Sequence, residues 1–152
     1  MKNNLTTEKY LIPMHYGKHL LVEVITKNQK NLSNESFIKK VFEKIIKATK
    51  TKKVMPITSY KFPPRITLQG KVSGGLTAFS IISESHLSIH TWPENNYFAF
   101  DLFSCKNFNE QQIIKIIKDN FAINQIVYKT IERGIQVNFK NPELTPEEIK
   151  NA

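Results

Sequence analysis

A single cysteine stands among the 152 residues, which excludes an intrachain disulfide framework and a multi-cysteine zinc site. Cys105 is therefore either a small buried side chain or a reactive thiol. Long apolar runs are missing as well: no stretch approaches the ~20 residues that cross a bilayer as a helix. The opening Met1-Lys2-Asn3-Asn4-Leu5-Thr6-Thr7-Glu8 lacks the apolar core of a secretory signal, so the cytoplasm is the expected location. There is no internal repeat or low-complexity tract, although a strand-helix-strand order recurs coarsely in the two halves. Acidic residues are too few to balance the basic ones, and the formal net charge is +9. No nucleic-acid-binding motif accompanies that charge, and its lysines, among them Lys39, Lys40, Lys44, Lys47, Lys115 and Lys118, are spread mostly over helical faces. Such a pattern reads as a solvated basic surface.

With 40% hydrophobic residues and ten phenylalanines, the chain can bury the core of one domain spanning 1–152. Residues 1–16, polar and broken by Pro13, read as a leader, and the Pro-bearing acidic tail 141–152 is expected to be loosely held. Apolar and β-branched runs predict strands at 18–26, at 54–62 with an interruption at Pro56, at 76–82 and at 97–103. Phe37, Val41 and Ile45 recur every four residues, with Ile38, Phe42 and Ile46 on adjoining rows, and predict a helix from Ser33 or Asn34 that ends before Thr51. A second helix is predicted over 109–121, and 125–131 with 135–139 as a closing hairpin around Glu132-Arg133-Gly134. Gly70, Gly74 and Gly75 mark 65–75 as a loop in which Ile66 and Leu68 form a short strand at most. The order gives an α+β fold, a two-layer sandwich of a mostly antiparallel sheet with helices on one face. Both faces of 97–103 are largely apolar, so one side should meet helices and the other a second sheet or a subunit.

The densest polar chemistry lies in Ser83-Glu84-Ser85-His86-Leu87-Ser88-Ile89-His90-Thr91-Trp92-Pro93-Glu94, which holds two histidines, two glutamates and the only tryptophan. It reads as a strand, a break at Glu84-Ser85-His86 and a second strand, with Ser88 and His90 on one face and Leu87 and Ile89 on the other. Taken singly, Ser85 is a turn serine, His90 a hydrogen-bonded structural histidine and Glu94 an exposed turn glutamate.

Taken together, this run, the strand Tyr97-Phe98-Ala99-Phe100-Asp101-Leu102-Phe103 and Cys105 resemble the core of the small prokaryotic S-adenosylmethionine decarboxylases. The likeness extends more loosely to His19-Leu20-Leu21-Val22-Glu23. It implies a proenzyme that cleaves itself between Glu84 and Ser85, the hydroxyl of Ser85 attacking the Glu84 carbonyl, so that Ser85 becomes a pyruvoyl group and no external cofactor is needed. It assigns the base of processing to His90, a second processing hydroxyl to Thr77 where the family has serine, and the proton returned to the substrate α-carbon to Cys105. Glu94 matches the residue that holds the ribose hydroxyls, Glu23 either holds a cationic substrate group or pairs with a lysine, and His86 is structural or positioning. The implied assembly is an αββα homodimer in which both chains line each site. The implied reaction decarboxylates S-adenosylmethionine to the aminopropyl donor of polyamine and spermidine biosynthesis, without a metal, a nucleic acid or a membrane. Arginine or ornithine decarboxylation on the same scaffold is the alternative; an uncut, non-catalytic regulatory subunit is the alternative of another class. Two departures stand out: the stretch 62–75 is longer than the family's approach to the central strand, and Lys106 replaces the common glycine after the cysteine.

Overall fold

The computed structural model describes residues 16–134, so the expected leader up to residue 15, the strand at 135–139 and the tail lie outside the described residues. Asn34 starts the first helix, α1 (Glu35–Thr49), by accepting the Phe37 amide at 3.0 Å, and Lys50 at φ 53° ends it in a left-handed turn. Asn109 does the same for α2 (Glu110–Asn120) through the amides of Gln111 and Gln112. Glu35 and Glu110 sit at the positive ends of the two helix dipoles. The apolar rows of both helices, Ile38, Phe42 and Ile45 on α1 and Ile113, Ile114 and Ile117 on α2, are buried in one core.

The strands are β1 (Gly17–Thr26), β2 (Thr58–Lys61), β3 (Arg65–Ile66), β4 (Val72–Ser73), β5 (Leu76–Ile82), β6 (Ser85–Trp92), β7 (Tyr97–Ser104) and β8 (Ile123–Arg133). Six of them form one sheet in the order β2-β5-β6-β7-β1-β8, every neighbouring pair antiparallel, while β3 and β4 pair apart as a small hairpin. The alternation predicted for β6 and β7 is present. Leu87, Ile89 and Thr91, with Phe98, Phe100 and Leu102, face the helices; His86, Ser88, His90 and Trp92, with Tyr97, Ala99, Asp101 and Phe103, face the other way. Neither helix covers that second face, where Phe79, Ile81 and Val127 are exposed. The architecture is the expected α+β sandwich.

Three boundaries differ from the sequence reading. The predicted strand 54–62 shrinks to β2, because Pro56 has no amide to give the ladder and leaves Val54 and Met55 exposed; ahead of it only the Lys53–Ile82 bridge and the Val54 amide reach β5. Leu68 lies in the turn of the β3–β4 hairpin, fully exposed, and only Ile66 is in a strand. Long β8 pairs along its length with β1, residues Gly17 to Thr26, a partnership set by tertiary packing that local pattern does not reveal.

Two buried side-chain oxygens are left over among the described residues, one on Glu94 and one in the core. Ser80, on the core face of β5 and 1% exposed, has a hydroxyl with no hydrogen-bond partner among the described residues. Ser80→Ala removes that desolvated hydroxyl and is expected to raise stability by about 1 kcal/mol. A lower denaturation midpoint in urea would contradict this.

Candidate active site

Two polar clusters occupy opposite ends of β6. At the first, the two-residue connection Ser83-Glu84 joins β5 to β6 without a glycine, although hairpins this tight favour positive φ. The unusual dihedral falls on Ser85, at φ +147°. Non-glycine residues occupy such conformations at a cost of roughly 1–3 kcal/mol. The strain therefore sits at the residue that follows the Glu84 carbonyl. That carbonyl accepts the Cys105 amide at 3.0 Å, and the Ser85 hydroxyl lies 3.1 Å from His86 Nδ1. The His86 ring is set by stacking on Phe79 at 5.5 Å and by the edge of Phe103 at 5.9 Å.

Cys105 is exposed, and the backbone around it is tied down. The Ser104 hydroxyl accepts the Lys106 amide at 3.0 Å, and the Lys106 ammonium reaches the Lys50 carbonyl at the end of α1, 2.7 Å away. Lys106 thus meets the negative end of a helix dipole and anchors the cysteine loop.

At the far end of β6, the register sets Thr77 opposite His90, and their side chains meet at 2.5 Å between Oγ1 and Nδ1. The imidazole is flanked by Trp92 at 4.1 Å and Phe62 at 5.6 Å. Burial holds His90 below the usual histidine range, partly opposed by the Glu94 carboxylate, so the ring is neutral at pH 7. Trp92 in turn contacts Tyr97, whose hydroxyl donates to Glu23 at 3.0 Å. Burial first, and then this carboxylate, push the Tyr97 phenol up. Glu23 is thereby on the same open face, exposed and occupied by a tyrosine rather than by a lysine.

A cavity of about 200 Å³ opens beside His90 and Trp92, walled by Phe62, Arg65 and Ser73. Glu94, in the short helical turn Pro93–Asn95, lines a second cavity of about 190 Å³; its Oε2 is buried and has no partner among the described residues. Gly75 permits this arrangement, since a Cβ there would stand 1.9 Å from the Thr91 carbonyl oxygen. Thr91 itself is a buried hub: its hydroxyl donates to the Leu32 carbonyl at 2.8 Å and accepts the Leu76 amide at 2.9 Å.

Within one chain the two clusters do not meet. Five residue steps of extended strand separate Ser85 from His90, about 16 Å at the usual rise. The structure brings Glu84, Ser85, His86 and Cys105 together, and separately Thr77, His90, Trp92 and Glu94.

The sequence model of the family described as S-adenosylmethionine decarboxylase matches residues 18–134. The chain belongs to the S-adenosylmethionine decarboxylase family. Among its relatives, the S-adenosylmethionine decarboxylase proenzyme of Clostridium botulinum (strain Langeland) is 34% identical over 119 residues, which are 78% of this chain and 94% of that one. The proenzyme of Methanococcus aeolicus is 32% identical over 124 residues, 81% of this chain and 97% of the relative. The crystal structure of the adenosylmethionine decarboxylase from Aquifex aeolicus VF5 has the same fold, with a TM-score of 0.66 at 23% identity over 84% of this chain and 97% of that chain.

For an S-adenosylmethionine decarboxylase chain, sequence reasoning passed over three features. The Cys105 amide was overlooked in favour of its thiol, although pairing Ser85 with Ser104 necessarily brings the next amide against Glu84. Arg65 and Ser73 escaped because nothing in the pattern of 62–75 showed it folding back over β6. The aromatic flanks of His90 were half visible, since Trp92 shares its face two residues on, whereas Phe62 comes from a different element.

Proposed function

We propose that the chain cleaves itself between Glu84 and Ser85 and then decarboxylates S-adenosylmethionine in a pyruvoyl-dependent reaction, as a homodimer in the cytoplasm. The observation that carries this reading is the strained Ser85 directly after a carbonyl held by the Cys105 amide. Strain at Ser85 raises the uncut ground state, and opening the peptide bond releases it. As the Ser85 hydroxyl adds to the Glu84 carbonyl carbon, negative charge gathers on the oxygen to which the Cys105 amide already points. The residues present therefore fit a pyruvoyl group made from Ser85. When formed, that group supplies a carbonyl that takes up the substrate α-amine and draws electrons as the carboxylate leaves. The Cys105 thiol, exposed beside it, returns a proton to the α-carbon.

Neutral His90 is the base that removes the Ser85 α-proton, and Thr77 fixes its ring through Nδ1. Because the strand keeps His90 away from Ser85 of its own chain, the base comes from a second copy. Two sheets meeting through their open faces about a two-fold axis place each Ser85–Cys105 cluster against the partner copy's Thr77–His90 cluster. The exposed Phe79, Ile81 and Val127 suit such a covered face.

The lowered pKa of His90 sets the pH dependence. The base is active while neutral, so self-cleavage should be flat around pH 7 and fall only as pH drops below the ordinary histidine value of 6.5. Glu94→Gln removes the carboxylate that raises the imidazole pKa and should move this acid limb lower still. Rates of self-cleavage of freshly synthesised chain against pH test this, and a limb at or above 6.5 would remove His90 as the base. The function itself is tested by carbon dioxide release from S-adenosylmethionine, arginine and ornithine in parallel. Release from the first alone is expected; release from a basic amino acid instead would overturn the substrate assignment.

A further inference from the structure

The β3–β4 hairpin has no part in the steps above. It pairs only with itself, Arg65 with Ser73 and Ile66 with Val72. Its turn is closed by local bonds: the Thr67 amide donates to the Lys71 carbonyl at 2.8 Å, the Gly70 amide to the Thr67 carbonyl at 2.9 Å, and the Lys71 amide to the Thr67 hydroxyl at 3.1 Å. Ile66, Leu68 and Val72 are exposed, so the hairpin adds nothing to the core while costing backbone entropy. Its polar side chains are placed differently. Thr67, Gln69 and Lys71 line the cavity that contains Glu94, and Arg65 lines the one that contains His90 and Trp92. One ordered turn thus walls both cavities over a common floor, the end of β6 and the turn after it. Its base is fixed by the Phe62 amide, which donates to the Gly75 carbonyl at 2.9 Å, and by the close approach of Gly75 to Thr91.

The charges on these walls discriminate among ligands. Glu94 Oε2, buried and unpartnered, calls for a donor, which either sugar hydroxyls or a cationic tail can provide. Lys71 beside Glu94 and Arg65 in the adjoining cavity oppose a second cation. Gln69 offers an amide that can both donate and accept, which suits the edge of a nucleobase. Resting on the decarboxylase reading above, we propose that the β3–β4 hairpin is the specificity wall for the part of the substrate remote from the reacting carbon. Gln69 and Lys71 select a neutral nucleoside over a guanidinium or ammonium tail.

Trp92, the only tryptophan, lines the adjoining cavity two residues before Glu94, and its fluorescence is the probe for binding under the hairpin. The full processed chain is titrated with 5′-methylthioadenosine, which has the nucleoside but no amino-acid end, and with arginine. Gln69→Ala combined with Lys71→Ala should weaken nucleoside binding about tenfold, as expected for the loss of one or two hydrogen bonds. The same variant should raise KM for S-adenosylmethionine, leave kcat within about twofold because remote binding has been removed, and cleave itself at the normal rate. Lys71→Glu should let arginine quench Trp92 where the unaltered protein does not respond. Unchanged nucleoside affinity in the double variant, or no nucleoside binding by the unaltered protein, overturns the inference. Nucleoside binding that weakens as expected in a protein that releases no carbon dioxide from S-adenosylmethionine would sink the decarboxylase reading and leave the hairpin's role standing.

Discussion

Ser85→Ala is expected to yield one uncut chain that releases no carbon dioxide. The variant loses the hydroxyl proposed to attack the Glu84 carbonyl; the His86 ring beside Ser85 is engaged with Phe79 and Phe103, and Cys105 donates its amide to that carbonyl. Loss of a nucleophilic serine elsewhere lowers rates by roughly 10⁶, enough to leave no fragment detectable. Intact mass distinguishes the outcomes directly. The unaltered protein should give fragments 1–84 and 85–152, the second lacking its α-amine, and a cut Ser85→Ala chain would end the proposal. Ser85→Cys keeps a nucleophile and should still cleave, whereas Ser85→Gly tolerates the φ of +147° and should be more stable than the unaltered uncut chain.

Mixing two inactive variants is expected to restore activity. Ser85→Ala and His90→Ala chains should each remain uncut alone, because in the proposed homodimer each lacks one half of both sites. In a mixed dimer one site combines the intact Ser85 of one chain with the intact His90 of the other. Random pairing makes half of the dimers mixed, with one of two sites complete, so co-expression should recover about a quarter of normal processing. Were Ser85 and His90 to act within the same chain, both sites of every mixed dimer would be broken and nothing would be recovered. The expectation follows from the extended geometry of β6, which holds the two residues about 16 Å apart.

Much of this arrangement was legible before the structure. The helix start at Ser33 or Asn34, the helix over 109–121, the helix faces and the shared face of Phe98, Phe100 and Leu102 follow from local rules, because each depends on neighbours within a turn of helix or a few strand positions. That Asn34 and Asn109 are the caps, and that this strand face is the inward one, only the structure shows. The Thr77–His90 contact was half legible, since the resemblance named both residues but only the β5–β6 register sets them opposite each other. What stayed hidden depends on chain reversal over distance. The partnership of β8 with β1 joins the two ends of the described chain, and the return of 65–73 over β6 rests on a steric fit at Gly75 that no hydrophobic period encodes. Density of polar residues along β6 suggested one site, yet a strand spreads its residues out where a helix would gather them.

The order β2-β5-β6-β7-β1-β8 gives the proposed cut a lasting consequence. The N-terminal fragment contributes β1, β2 and β5, the C-terminal fragment β6, β7 and β8, and β1 lies between β7 and β8, bonded to both. The two pieces are interlaced, so they co-elute under native conditions and part only when the sheet itself is dismantled. Folding before the cut is a unimolecular process; reassembly after denaturation requires two chains to find each other and slows with dilution. The cut protein would thus be a persistent state reached once, its lifetime governed by the rate of unfolding rather than by a reversible equilibrium with its parts.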